Sequence, residues 1–326
     1  MPPAPSALIT GFSGQDGSFL AELLLARGYE VAGVVRPGGG ADLGSSEHLR
    51  DRVQLLQADL LVPETIHAAV AAVRPREIYH LAAPSYVPAS WQRPRETIAA
   101  IAGSSAALLE AVRELVPDAR LLLASSGLMF GDAPESPQDE ETPPRPTTPY
   151  AVAKLAAHAL AGVVRRHEGA HVSSAIFYNH ESERRPERFV TRRVSRAAAA
   201  ISLGLESELT LGSLDAVRDW SFAGDFMEGV WLMLQQDEAD DYILASGVGH
   251  TVAELARTAF ACVGLDAEDY VRVDADLVRV PESTANIGDA GKARARLGWA
   301  PQLDFDGLVE RMVRADVERL AAGVPD

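Results

Sequence analysis

Tyr150 and Lys154 are the two residues whose types and spacing first indicate chemistry. They lie four positions apart in the run Thr-Pro-Tyr-Ala-Val-Ala-Lys, and residues with that spacing share one face of a helix. An ammonium beside a phenol favours the phenolate, so the pair predicts a phenol pKa below its usual value of about 10. Such a phenol can exchange a proton with a substrate hydroxyl while a nicotinamide carries the hydride. The same spacing also occurs on ordinary exposed helices, so the elements around the pair have to decide.

A glycine loop near the start of the chain predicts a dinucleotide site. Gly11, Gly14 and Gly17 follow a strand predicted at residues 7–10 and precede a helix predicted at 18–27. Glycines there permit a tight turn and let backbone amides and a helix N-terminus face a pyrophosphate. The second strand ends in Val34-Val35-Arg36 without an acidic residue that would bind a ribose 2′-hydroxyl. Arginine suits a 2′-phosphate, so the sequence favours NADP over NAD.

Strands and helices alternate through the first half of the chain, which is typical of a parallel sheet covered on both faces. We expect an α/β fold: a Rossmann doubly wound parallel sheet with a smaller C-terminal substrate-binding α/β lobe. The predicted boundary divides a dinucleotide-binding domain, 1–178, from a nucleotide-sugar lobe, 179–326, with interleaving of their segments allowed. Further strands are predicted at 29–35, 53–57, 77–81, 120–124 and 173–177, and further helices at 66–73, 97–115, 189–203, 252–263 and 305–320.

Composition excludes several classes of function. The chain has 326 residues, 47% of them hydrophobic, and a formal net charge of −16, which argues against nucleic acid and anionic membranes as partners. A single cysteine, Cys262, excludes an internal disulfide and a thiolate metal cluster. No basic region precedes an apolar run at the N-terminus, and no apolar stretch approaches about 18 residues. We expect a cytoplasmic protein without a metal.

Longer runs carry a resemblance to a known family. They cover residues 7–24, 79–83, 150–155, 178–182, 189–192, 211–220, 288–289 and 297–299, and the most specific are Asn-His-Glu-Ser at 179–182 and Leu-Asp-Ala-Val-Arg-Asp-Trp at 214–220. With these runs the chain resembles the extended short-chain dehydrogenase/reductase family, and within it the GDP-mannose 4,6-dehydratases. The resemblance extends over nearly the full length.

The resemblance implies roles for individual residues. Tyr150 would be the acid/base, Lys154 would position the nicotinamide ribose, and Ser126 would bond the sugar O4. Asn179 would contact substrate or nicotinamide, and several arginines would suit a diphosphate. The implied cofactor contacts are Gly11, Gly14, Gln15, Asp16, Gly17, Arg36, Asp59, Leu60 and Ala82, together with Tyr150 and Lys154. The implied substrate contacts are Ser85, Asn179, Val190, Arg193, Gly212, Arg218, Arg279 and Glu282.

The chain departs from the family after the fifth strand, where it has Ser125-Ser126-Gly127-Leu128-Met129-Phe130-Gly131. Aligning the last glycine places Leu128 at the position of the family's glutamate and Gly127 at that of a serine or aspartate. Removing water across C5 and C6 of a 4-keto sugar requires a base for the C5 proton, and losing a positioned base costs about 10²–10⁴ in rate. Leucine cannot replace it. Glu181 is the candidate for a relocated base.

These observations predict an NADP-dependent enzyme that transfers hydride at C4 of a nucleotide sugar, with a GDP-hexose favoured, as 4-epimerase or 4-ketoreductase. The alternatives are a GDP-mannose 4,6-dehydratase with a relocated base, and a dinucleotide sensor without turnover, against which Ser126, Tyr150 and Lys154 argue. Ile101 stands where the family usually has aspartate or asparagine, and Ser213 replaces an asparagine, so a different sugar is open. Family likeness implies a homodimer or homotetramer, with residues 47–52 as a contributor to its interface.

Overall fold

The computed structural model describes residues 4–38, 42–274 and 285–323. Its centre is a parallel sheet of seven strands in the order β10-β6-β5-β4-β1-β2-β3. Helices cover both faces, so the expected Rossmann fold is confirmed. The strands of this sheet are β1 (Ser6–Thr10), β2 (Glu30–Val35), β3 (Gln54–Gln57), β4 (Glu77–His80), β5 (Arg120–Ser126), β6 (Val172–Phe177) and β10 (Tyr242–Leu244).

The helices have the following bounds among the described residues: α1 (Gln15–Ala26), α2 (Pro63–Val73), α3 (Val87–Gln92), α4 (Pro94–Ile98), α5 (Ser104–Leu115), α6 (Pro149–Glu168), α7 (Val190–Ser202), α8 (Ala223–Gln235), α9 (Val252–Ala261), α10 (Ala267–Tyr270), α11 (Gly291–Leu297) and α12 (Phe305–Ala321). Short 3-10 helices span Gly44–Arg52 and Gly127–Met129, and a π-helical segment, Ala99–Gly103, joins α4 to α5. No helix within the described ranges is long and apolar enough to cross a membrane.

Two apolar layers enclose the large sheet. One layer packs α1 and α8 on the sheet through residues such as Leu20, Leu24 and Val230. The other packs α2, α5 and α6 on the opposite face through residues such as Val70 and Leu108. Strands buried on both faces are continuous apolar runs, as Ala7 to Ile9 illustrates with at most 1% exposure.

The C-terminal lobe has its own apolar core. Helices α7, α9 and α12 pack around Trp220 and Phe260. Two small sheets complete it, with the strand orders β11-β9-β7 and β12-β8. Their strands are β7 (Asn179–Glu181), β8 (Leu209–Leu211), β9 (Val217–Phe222), β11 (Gly249–Thr251) and β12 (Val271–Val273).

Two elements that position the site differ from the sequence prediction. Helix α1 begins at Gln15, inside the glycine loop, and β5 extends to Ser126, so this serine is the last residue of a strand. The chain also returns from the lobe to the large sheet, because β10 pairs with β6 and α8 packs on the same layer as α1. The domain boundary at residues 178 and 179 stays a prediction, and these segments are where the two units interleave along the sequence.

Candidate active site

A cavity of about 600 Å³ opens at the carboxyl edge of the large sheet. Strand β1 lies there between β4 and β2, so the crossover connections leave in opposite directions and create a crevice. The lining contains the three predicted catalytic residues, Ser126, Tyr150 and Lys154. It also contains Gly11, Gly14, Gln15, Asp16, Gly17, Arg36, Asp59, Leu60 and Ala82, which were predicted to contact the cofactor.

The glycine loop is shaped by close backbone contacts. Gly11 has φ +75°, and a Cβ there would lie 2.8 Å from the nitrogen of Ala82. A Cβ on Gly17 would lie 2.3 Å from the carbonyl oxygen of Gly11. Gly14 is the N-cap of α1 and offers no side-chain acceptor to the first-turn amides. Because that N-terminus borders the cavity, its unsatisfied amides fit the pyrophosphate of a dinucleotide.

A buried hydrogen-bond chain holds the loop after β4 against β1. The Thr10 hydroxyl lies 2.8 Å from His80 Nδ1 and accepts a bond from the Ala82 amide at 3.2 Å. His80 Nε2 lies 3.0 Å from the Ser104 hydroxyl on α5. Burial and the nearby charge of Lys154 lower the pKa of His80 to about 3, so the imidazole is neutral. This series of hydrogen bonds therefore fixes the position of Ala82 without placing a charge beside it.

Gln15 and Asp16 join the glycine loop to β7. Gln15 donates to the carbonyl oxygen of His180 at 3.1 Å and accepts from the Ser182 hydroxyl at 2.7 Å. Asp16 lies 3.0 Å from His180 Nε2. Burial alone would raise the pKa of Asp16, but the charge and hydrogen bond of His180 outweigh it and lower that pKa to about 2. Gln15 and Asp16 therefore border the cavity and also hold the glycine loop against β7.

Tyr150 and Ser126 both border the cavity, where the Ser126 hydroxyl accepts from the Leu128 amide at 3.3 Å. Lys154 Nζ lies 5.8 Å from the Tyr150 ring centroid and donates to the Ala124 carbonyl oxygen at 2.7 Å. Burial raises the phenol pKa to about 12 against the lowering effects of Ser126 and Arg185. The expectation that Lys154 lowers this pKa is therefore wrong in this arrangement. Desolvation of the phenol dominates, and burial also lowers the pKa of Lys154 to about 8.

Leu128 belongs to an apolar cluster around Tyr150. The cluster contains Ile101, which is 2% exposed, and the partly buried Ala83, Val87 and Leu128. Thus Ile101 and Leu128, the two aliphatic residues expected to stand where the family has polar ones, lie in the same cluster. Ile101 comes from the π-helical segment, a type of distortion that is frequent at functional sites. The surroundings of the phenol are apolar where the family would place a glutamate.

Gly127 has no room for a side chain. A Cβ there would lie 2.8 Å from the Tyr178 ring and 3.1 Å from Asn286 Oδ1. The Tyr178 hydroxyl donates to Gln138 at 2.8 Å, which holds the ring in place. Asn286 is 9% exposed, borders the cavity, and has no side-chain hydrogen-bond partner among the described residues. Its amide is thus available to a ligand beside Ser126.

The chain is similar over most of its length to proteins of one known family. Residues 8–312 match a family model described as GDP-mannose 4,6 dehydratase. The chain is 42% identical over 328 residues to GDP-mannose 4,6 dehydratase 2 of Arabidopsis thaliana, covering 97% of this chain and 88% of that protein. The chain belongs to the GDP-mannose 4,6-dehydratase family. The resemblance to nucleotide-sugar enzymes of the extended short-chain dehydrogenase/reductase type is therefore confirmed.

Solved structures agree with the fold. A UDP-glucose 4-epimerase of Thermus thermophilus in complex with NAD has a TM-score of 0.82 and 27% identity, covering 95% of this chain and 98% of that one. RMD from Pseudomonas aeruginosa, complexed with NADPH, has a TM-score of 0.82 at 24% identity, covering 97% and 100%. The second likeness supports the fold alone.

Glu181, the candidate for a relocated base, is already engaged by other side chains. It is 2% exposed and is absent from the residues that line the described part of the cavity. Its carboxylate accepts from the Thr191 hydroxyl at 2.6 Å and pairs with Arg185 at 3.1 Å. The carboxylates that do line this part are Asp16, Asp59 and Glu96.

The predicted substrate residues separate into three groups in this family member. Ser85 and Asn179 border the cavity. Arg279 and Glu282 lie outside the described residues. The other four lie in the lobe beyond the lining of this cavity: Val190, Arg193, Gly212 and Arg218. Arg193 donates to the Thr210 carbonyl oxygen and Arg218 to that of Val217.

Polar residues at the cavity that were not predicted from the sequence include His180, Arg185, Arg188 and Asn286. Arg185 is held by Glu181 and stacks over the Phe189 ring at 3.6 Å. The first three lie in or beside the Asn-His-Glu-Ser run, which could have drawn attention to them. Asn286 reaches the site through an isolated bridge with Arg218, and no local pattern in the sequence signals that contact.

Proposed function

We propose that this protein is an NADP-dependent enzyme that transfers hydride at C4 of a nucleotide sugar, with a GDP-hexose as substrate. It acts as a 4-epimerase or a 4-ketoreductase. One observation carries the proposal: Ser126, Tyr150 and Lys154 border one cavity with the glycine loop, while Leu128 is embedded in the apolar cluster beside Tyr150. The site therefore has the side chains needed for proton and hydride exchange at C4, but it has no base at position 128 to remove the C5 proton.

The residues suggest a division of labour at the sugar. Bound NADP would supply hydride acceptance and donation. Ser126 and Tyr150 border the same cavity, and Ser126 lies near enough to the phenol to lower its pKa, so both hydroxyls can bind one sugar oxygen, O4. A phenol with a pKa of about 12 is protonated at neutral pH and suits donation of a proton to a C4 ketone. Lys154 fixes α6 to the end of β5 and keeps the two hydroxyls together.

Arg36 supports NADP as the cofactor. It is exposed at the end of β2, borders the cavity, and has no ion-pair or hydrogen-bond partner among the described residues. A guanidinium in that position can donate two parallel hydrogen bonds to a 2′-phosphate. The net charge of −16 makes such a local cation necessary for a ligand with several phosphates.

The second candidate is a 4,6-dehydratase with a relocated base. It is favoured by the names of the relatives, which include GDP-mannose 4,6 dehydratase 2 of Arabidopsis thaliana. Against it stand the apolar surroundings of Leu128 and the two bonds that already engage Glu181. Elimination would have to recruit Asp16, Asp59 or Glu96 from elsewhere in the lining.

A direct test uses the purified protein with GDP-mannose and with GDP-4-keto-6-deoxymannose, each with and without NADPH. Mass spectrometry and NMR follow the sugar. If the protein is an epimerase, GDP-mannose keeps its mass and is inverted at C4. If it is a ketoreductase, GDP-4-keto-6-deoxymannose gains two hydrogens as NADPH is consumed. Loss of water from GDP-mannose would contradict the proposal and establish the dehydratase.

Reactions in D₂O separate the two candidates a second time. A dehydratase exchanges the C5 proton with solvent during elimination, so deuterium enters the sugar. Hydride transfer at C4 through NADP leaves the carbon-bound positions without deuterium when the cofactor is retained. Deuterium at C5 of the product would therefore contradict a reaction that is limited to C4.

A further inference from the structure

We propose that the sugar taken by this site is a 6-deoxy hexose, whose C6 methyl group packs on a wall formed by Ala83, Val87 and Leu128. This inference rests on the proposed C4 chemistry, because that chemistry places O4 at Ser126 and Tyr150. It adds the chemical class of the sugar, which the C4 reaction alone leaves open.

The wall consists of three apolar side chains that pack against the cluster around Tyr150. All three side chains border the cavity and pack with Tyr150 in one cluster. Ile101 supports them from behind at 2% exposure. These side chains consist of carbon and hydrogen only, so the wall offers no side-chain partner to a sugar hydroxyl.

Only one substituent of a hexopyranose suits such a surface. In a nucleotide hexose, C1 carries the diphosphate and C2, C3 and C4 carry hydroxyls or a ketone, and each of these polar groups needs a hydrogen-bond partner when it leaves water. C6 is the single carbon branch, and it is attached next to C4 at C5. With O4 fixed at Tyr150, C6 can reach the wall, and a methyl group there leaves no hydroxyl unpaired.

The polar side of the pocket is complementary. Asn286 borders the same cavity beside Gly127, and its amide has no side-chain partner among the described residues. Asn179 borders it too. The ring hydroxyls thus meet hydrogen-bonding groups, whereas the C6 branch meets carbon. The contrast between these two sides is what would select a methyl over a hydroxymethyl group.

The test compares GDP-6-deoxymannose with GDP-mannose, which differ only in O6. Binding is measured by calorimetry to the protein saturated with NADPH, since reduced cofactor cannot oxidise C4 and the complex stays unreacted. An apolar pocket discriminates against an added hydroxyl by at most about 100-fold. We expect the 6-deoxy sugar to bind about 10- to 100-fold more tightly. Equal affinity, or tighter binding of GDP-mannose, would overturn the inference.

Two wall variants and one control make the comparison specific. Leu128→Gln offers the hydroxyl a partner and should reduce or reverse the ratio. Val87→Thr adds a hydroxyl at nearly constant size and should reduce it if Leu128→Gln fails to fold. Leu205→Gln, at an exposed position in the lobe, should keep the wild-type ratio. A ratio unchanged in both wall variants would contradict the assignment of the wall.

Turnover is measured separately with GDP-4-keto-6-deoxymannose and NADPH. A methyl preference in binding without any C4 reaction would refute the proposed function and leave the wall assignment standing. C4 reaction without a methyl preference would refute the wall assignment alone. Failure of both sugars to bind would contradict both.

Discussion

The ammonium of Lys154 donates a hydrogen bond of 2.7 Å to the backbone carbonyl oxygen of Ala124, two residues before Ser126 on β5. Because Tyr150 lies one helical turn before Lys154 on α6, this bond fixes the phenol relative to the serine hydroxyl. The lysine is 5% exposed and its pKa is lowered to about 8 by burial. In this structure Lys154 links α6 to β5 at the site.

Tyr150→Phe should remove the proton donor at O4. We expect the rate of C4 hydride transfer to fall about 10²–10⁴-fold, because the general acid is lost while the ring and its packing remain. Single-turnover absorbance of NADPH with a 4-keto sugar measures this rate. Tyr270→Phe in the lobe is the matched control and should react at the wild-type rate. A wild-type rate in Tyr150→Phe would show that Tyr150 is not the proton donor, whereas a variant without turnover that keeps its biological role would favour the dinucleotide sensor.

Arg36→Ala should reduce affinity for NADPH and leave affinity for NADH unchanged. A charge-assisted bond to phosphate contributes about 1.5–3 kcal/mol, so the loss should be about 10- to 100-fold. Fluorescence titration with both cofactors checks it, with Arg257→Ala on α9 as the control. An equal loss for NADH and NADPH would show that Arg36 does not contact a 2′-phosphate.

Asp16→Asn should make stability depend on pH in a defined window. The Asp16 pKa is lowered from 3.8 to about 2, so its contribution is present above pH 3.8 and lost as the pH falls toward 2. The pKa of His180 is raised above 6.5 by Asp16 against the effect of burial, so its contribution is present below 6.5 and lost at higher pH. The pair therefore stabilises most between these limits.

We expect Asp16→Asn to lower the free energy of unfolding by about 2 kcal/mol in that window. The difference from wild type should shrink on either side of it. Denaturant unfolding at a series of pH values measures the effect, and Asp51→Asn at an exposed position supplies the baseline. A difference that stays constant from acid to neutral pH would mean that the pair does not titrate with folding.

Gly127→Ala should destabilise the protein, whereas Gly103→Ala should not. The new methyl at 127 would lie 2.8 Å from the Tyr178 ring, and overpacking typically costs about 1–3 kcal/mol. At 103 the nearest atom would lie 3.9 Å away, so the change should be neutral or stabilise by about 0.4–1 kcal/mol. Thermal unfolding of both variants tests this. Equal melting temperatures would show that Tyr178 moves aside freely.

The parts of the fold that the sequence predicted are those with strong local patterns. Long buried strands such as β1 and β5 are apolar runs, and α6 and α12 have clear apolar faces. Strand β10 has only three residues and follows the lobe, so no local pattern connects it to β6. Strand β7 is polar and is not among the strands predicted from the sequence, because its pairing with β9 depends on residues about 40 positions away.

The site residues that could be predicted are likewise those with a local sequence pattern. The glycine loop, Ser126, Tyr150 and Lys154 are found from spacing and matching runs, since each motif is contiguous in the chain. The partners that shape their chemistry come from distant segments. Asn286 reaches Gly127 from the C-terminal part, and Arg185 acts on the Tyr150 phenol from beyond β7. Desolvation of the phenol, which sets its pKa, is a property of the packed molecule.

The pairing of β10 with β6 has a consequence for folding of the protein during its translation. During translation, residues 6–177 emerge with six of the seven strands, and the β6 edge stays unpaired until residues 242–244 have left the ribosome. The apolar layer under α1 waits longer, because Trp299, which donates to the Asp225 carbonyl oxygen, completes it near the end of the chain. Exposed strand edges in incomplete chains promote aggregation. We therefore expect the β6 edge to need protection until residue 244 has emerged, and the apolar layer to need it until residue 299 has emerged.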